Sequence, residues 1–106
     1  MEPYVVCFVT VDTPENAVKI ASSLVQEKIA ACVNIIDSIR SFYWWEGKIC
    51  DEKEALLIIK TRSSFFEKIQ KRVKELHPYK VPEIICLEIT DGLPEYLSWI
   101  HDSTNY

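Results

Sequence analysis

Residues 41–49, SFYWWEGKI, set four aromatic side chains in a row directly before a glutamate and a glycine. Neighbouring residues of a strand point to opposite faces, so no single packed sheet face can take all four rings. The flanking segments lengthen the problem. One arm runs over 31–45 and the other over 48–61, the second ending in the buried-strand composition Ala55-Leu56-Leu57-Ile58-Ile59. Glu46-Gly47 between them is a poorer hairpin turn than Asn-Gly, but the glycine supplies the positive φ such a turn requires. Each arm can reach about 14 residues, over twice the usual strand length. A hairpin of that length extends roughly 45 Å and overshoots any helix of about four turns lying across it. The aromatic quartet therefore sits on an overhanging tip, and something beyond this chain's own core is expected to cover it.

The rest of the chain supplies a smaller frame. Tyr4 to Val11 (YVVCFVTV) is a continuous β-branched and aromatic run, expected as a central strand. Asp12 or Thr13 is expected to cap a following helix, with Pro14 in its first turn. Ala17, Ile20, Ala21, Leu24 and Val25 make its apolar stripe, and its end is expected near Lys28. Ser64-Phe65-Phe66-Glu67 reads as a capping box. A second amphipathic helix follows through Phe65, Phe66, Ile69, Val73 and Leu76, stopped by His77-Pro78. Residues 83–90 (EIICLEIT) read as a strand, broken at Asp91-Gly92, and Leu93-Pro94 opens a short last helix with Tyr96, Leu97, Trp99 and Ile100. The order β-α-β-β-α-β-α predicts an α+β class and a ferredoxin-like β-α-β-β-α-β fold, with a long central hairpin and a short C-terminal helix. Two helices cover one face of such a sheet. The third is too short to cover the other.

At 106 residues the chain fits one domain, 1–106, small enough that association is a natural route to stability. A net charge of −4, with basic residues scattered among the acids, argues against a nucleic-acid partner. Sheets that stack bases on exposed aromatics share this topology, but the aromatic-glycine signature of those modules is missing. No apolar run is long enough to span a membrane, and the start MEPYVVCFVT lacks a basic n-region. A cytoplasmic location is expected. Cys7, Cys32, Cys50 and Cys86 include no C-x-x-C, so reduced and mostly buried thiols are expected rather than a structural zinc site.

Recognisable chemistry is sparse. Two glycines, Gly47 and Gly92, cannot build a phosphate-binding loop, and neither G-x-S-x-G nor H-E-x-x-H occurs. The segment 77–83 (HPYKVPE) is the one stretch with a site-like character. His77 is expected at a helix C-terminus, where the dipole favours a protonated imidazole donating to a free carbonyl. Tyr79 and Glu83 are close enough to join it in a polar pocket. Glu46 beside the turn is expected to be solvated. For the quartet, a symmetric protein interface is the best explanation, because tryptophan and tyrosine carry large rigid contact area.

The segments ACVNII (31–36), SFYWWEGKI (41–49), LLIIKT (56–61), HPYKVPEII (77–85) and YLSWI (96–100) together resemble the CutA family of divalent-cation-tolerance proteins, in order and spacing along nearly the whole chain. The resemblance implies a compact homotrimer similar in architecture to PII signalling proteins. Phe42, Tyr43, Trp44 and Trp45, with Trp99, would then lie at the trimer interface. It also implies a role in the response to metal ions, with copper or another divalent cation as an associated ligand, no required cofactor, and no established enzymatic activity. His77 matches the family's His-Pro-Tyr, and Cys32 a common family cysteine, so these are the candidate metal ligands. The thiol that some members carry near the end of the first strand falls at Val9, with Cys7 two residues earlier on the same side of a regular strand. A PII-like alternative places a small anion or metabolite in an intersubunit cleft lined by Tyr43, Trp45, Lys60, His77, Tyr79 and Glu83. An enzyme-class alternative, hydrolysis using Glu83 and His77, lacks a recognisable nucleophile.

Overall fold

The computed structural model describes residues 2–104. Strand β1 (Tyr4–Val11) leads to helix α1 (Pro14–Gln26), then to the hairpin β2 (Cys32–Trp45) and β3 (Lys48–Arg62). A short 3-10 turn (Ser63–Phe65) precedes α2 (Phe66–Leu76), followed by β4 (Ile84–Ile89) and α3 (Pro94–Ser103). The strands form one antiparallel sheet in the order β2-β3-β1-β4. This is the ferredoxin-like arrangement that the element order implies.

Local chemistry explains most boundaries. Thr13 caps α1, its hydroxyl accepting from the Asn16 N–H at 3.1 Å, while Asp12 accepts from the Asn16 side chain at 2.8 Å. The helix stops at Gln26, two residues short of the expected end, and Lys28 takes a positive φ of 60° as the chain turns back. The capping box does not form. The Glu2 carboxylate instead accepts from the Ser64 hydroxyl and N–H, so Ser64 belongs to the 3-10 turn and α2 begins at Phe66 without a side-chain cap.

Alternation along the strands divides the side chains cleanly. Val5, Cys7, Val9 and Val11 of β1 and Ala55, Leu57 and Ile59 of β3 point to the helices. They bury Ala17, Ile20, Ala21 and Leu24 of α1 with Ile69 and Val73 of α2, and Val25 is left largely outside this core. On the other face α3 covers one end only, where Ile100 packs with Tyr4 and Ala31 against Ile89 and Leu97. Arg62 secures that end, donating to Thr104 at 3.0 Å and to the His101 carbonyl at 2.7 Å. Farther along the same face, Ile36, Ile85 and Leu87 are exposed.

The hairpin overhangs as its length requires. β1 pairs with β3 only from Ala55 to Arg62, so residues 48–54 of β3 and 39–45 of β2 continue as a two-stranded ribbon. A bulge between Ile36 and Ile39 separates the ribbon from the sheet-paired part of β2. The molecule measures 44 × 25 × 22 Å. At the tip both loop residues have positive φ, 49° at Glu46 and 76° at Gly47, as a type I′ turn demands. A left-handed non-glycine residue costs about 1 kcal/mol. Replacing Glu46 with Asn, which tolerates that region, is expected to stabilise the fold by about 0.5 kcal/mol in denaturant melts. Gly47→Ala is expected to destabilise it by about 1 kcal/mol.

Candidate functional site

The ribbon and the bare end of the sheet enclose a concavity of about 940 Å³. Phe8, Thr10 and Leu56 form its floor, Ile39, Tyr43 and Trp45 one wall, and residues 79–81 with Glu83 the other. The alternation that splits the aromatic quartet is visible here. Tyr43 and Trp45 face the concavity, Phe42 lies at its margin, 64% exposed, and Trp44 projects from the opposite side of the ribbon, 72% exposed. Trp99 lies apart on α3, partly exposed and tilted against Tyr96 with ring centroids 5.5 Å apart.

Tyr79 and Glu54 form the hinge of the site. The Tyr79 hydroxyl donates to Glu54 Oε2 at 2.8 Å, and Glu54 is only 7% exposed despite its charge. Burial, reinforced by that carboxylate, pushes the Tyr79 phenol far above its ordinary pKa and keeps it a donor. Tyr43 is pushed up as well, by desolvation and by nearby Glu52. Glu52, Glu54 and Glu83 thus give the concavity three carboxylates, against Lys80 and an Arg40 already engaged bidentately with Asp51 at 2.8 and 2.9 Å.

His77 occupies a different role from the expected one. Its ring leaves the helix end and Nε2 donates to the Thr10 carbonyl of β1 at 2.7 Å, while Nδ1 accepts from the Tyr79 N–H at 3.1 Å. A carbonyl can only accept and an amide N–H only donate, which fixes the tautomer and uses both nitrogens. The ring also packs on Tyr79, with centroids 4.8 Å apart. His77 therefore sets the direction of Tyr79 and does not itself line the concavity. Lys60 stays outside as well, donating to Asn34 on the neighbouring strand.

Cys32 and His77 are not brought together. Cys32 pairs with Lys60, and the Thr10 that holds His77 pairs with Leu56, four residues along β3 and roughly 13 Å away at strand spacing. Among the described residues no three His, Cys, Asp or Glu side chains gather as a metal site. The two expected ligands do not fit a copper centre within one subunit. Of the four thiols only Cys7 is fully buried, the others being half-buried, so the expectation of mostly buried cysteines is corrected.

The glutamates of the ribbon are what sequence reasoning missed. Glu54 stands in phase with Leu56 and Ile58, so its carboxylate had to share their face, and that phase was a usable signal.

The model of the CutA1 divalent ion tolerance protein family matches residues 5–103. This chain belongs to that family. It is 51% identical over 102 residues to the chloroplastic protein CutA of Arabidopsis thaliana, covering 96% of this chain and 56% of the plant protein. It is 46% identical over 99 residues to the divalent-cation tolerance protein CutA of Thermus thermophilus, covering 93% and 96% of the two chains. The chain thus spans little more than half of the plant relative and nearly all of the bacterial one. The crystal structure of CutA1 from Oryza sativa superimposes with a TM-score of 0.95 at 47% identity, covering 98% of this chain and 95% of that one. A structure described as the periplasmic divalent cation tolerance protein CutA of Archaeoglobus fulgidus gives 0.94 at 41% identity, covering 96% and 99%. No helix among the described residues is long and apolar enough to cross a membrane.

Removing the Tyr79 hydroxyl takes the donor from a buried carboxylate. Tyr79→Phe is expected to cost about 1–3 kcal/mol in denaturant melts at fixed protein concentration. Glu54→Gln keeps an acceptor in place and is expected to cost less.

Proposed function

We propose that the chain acts in tolerance to divalent cations as a homotrimer, with copper or another divalent cation held between copies rather than inside one. The observation that carries this reading is the ribbon. It presents Phe42, Trp44 and Ile49 to solvent, and one of its sides opens onto an apolar sheet face. Two strands without further support are marginal in water, and the 14-residue β2 leaves its outer edge unpaired in the sheet order. Burying a tryptophan as exposed as Trp44 is worth about 3–4 kcal/mol. Sibling copies meet all three needs at once, and a closed ring leaves no free edge.

Charge favours a cation over the small anion of the PII-like alternative, since Glu52, Glu54 and Glu83 outnumber the free basic groups of the concavity. Neighbouring copies would complete a ligand set that one subunit lacks. Hydrolysis by Glu83 and His77 gains no support, because both ring nitrogens are engaged and the ring lies outside the concavity. The description of the family and the name of the Thermus thermophilus relative refer to cation tolerance and to no reaction. Four free thiols suit a reducing compartment, and we place the protein in the cytoplasm on that ground.

Light scattering combined with copper titration tests the proposal. Wild-type protein is expected at three times 12.3 kDa with saturable copper binding. Trp44→Glu is expected to shift the mass toward a single chain and to abolish saturation together. An unchanged mass in wild type and variant at one chain each removes the assembly. Equal copper uptake by assembled and dissociated protein removes the cation site between copies.

A further inference from the structure

Cys7 and Cys86 lie directly opposite each other in the antiparallel pairing of β1 with β4. Both belong to the helix-facing side, Cys7 within the buried cluster and Cys86 packed against it. Directly opposed antiparallel residues place their Cα atoms about 4.5–5.5 Å apart. Disulfides use Cα separations of roughly 4.4–6.8 Å, so this pair can be bridged without moving the backbone. The other two thiols are differently placed: Cys32 opposes Lys60, and Cys50 opposes Tyr43 out on the ribbon.

We propose that Cys7 and Cys86 form a reversible redox pair, closed by a hydroperoxide into a disulfide that staples the edge strand β4 to the central strand β1. The two thiols divide the work by position. Cys7 is fully buried, and burial together with neighbouring Cys86 pushes its thiol up to about 12, so it keeps its proton at neutral pH. Cys86 is half-buried where Cys7 is fully enclosed, so an oxidant reaches Cys86 first. Its thiolate sulfur attacks one peroxide oxygen, the O–O bond breaks, and hydroxide (or alkoxide) leaves; sulfur is oxidised to sulfenic acid and the peroxide is reduced. The Cys7 sulfur then attacks the Cys86 sulfur, the S–O bond breaks, the S–S bond forms, and the Cys7 proton leaves with the hydroxyl as water. An external dithiol reopens the bridge by exchange.

The closed loop runs from residue 7 to residue 86, most of the chain. Cross-links over long loops restrict the unfolded state most, and the unfolding midpoint is expected to rise by about 10 °C or more on oxidation.

The test is a thiol map of the intact wild-type protein. Protein is exposed to hydrogen peroxide, its remaining thiols are alkylated in denaturant, and the chain is digested without reduction. The proposal expects a linked Cys7–Cys86 peptide pair that dithiothreitol separates, alkylated Cys32 and Cys50, and the raised midpoint lost on reduction. Cys86→Ser should leave Cys7 alkylatable after peroxide. If that variant does not fold, the wild-type map alone decides. Complete alkylation of both Cys7 and Cys86, or Cys86 recovered as sulfinic acid with Cys7 free, overturns the proposal.

Discussion

Unequal strand length is the constraint on which the rest of this structure turns. β2 and β3 run 14 and 15 residues, while β1 and β4 run 8 and 6. A sheet can satisfy the longer pair only as far as its neighbours reach. Among the described residues, β3 beyond Ala55 has β2 as its one partner strand, and the side chains there stand outside the helix-covered core. Among its charged residues the overhang carries some of the largest apolar side chains in the chain, Phe42, Trp44, Trp45 and Ile49, all of them exposed.

The concavity follows from the same mismatch. It exists because the ribbon continues past β1 and because the segment after α2 returns beneath it to begin β4. His77 fastens that segment to Thr10, its ring orients Tyr79, and Tyr79 in turn holds Glu54 against the ribbon's root. One chain of hydrogen bonds thus joins β1, the loop before β4 and β3. The imidazole is a positioning group here, and the carboxylate it helps to place is the buried one of Glu54.

Much of this was legible in the sequence, and for local reasons. Period-two runs, the Thr13 cap, the glycine at 47 and the proline at 78 each act within a few residues, so element order and the overhang could be read directly. Readings that depended on distant partners fared differently. Ser64 and Glu67 form a plausible capping box until Glu2, sixty-two residues away, takes the serine. His77 at a helix end suggests a dipole contact until its ring finds a carbonyl on β1. The opposition of Cys7 and Cys86 depends on the register of strands joined through the whole chain, which no local pattern specifies. The family resemblance supplied the fold, while the strand register keeps Cys32 and His77 apart within one subunit.

What has to hold is that the ribbon's rings are sheltered by other copies of this chain. Sedimentation equilibrium, run alongside acrylamide quenching of tryptophan fluorescence over a wide dilution range, measures this most directly. A mass of three chains with poorly quenched tryptophans, turning to freely quenched ones only as the assembly dissociates, is the outcome required. A stable single chain whose tryptophans are already protected at every concentration would contradict it.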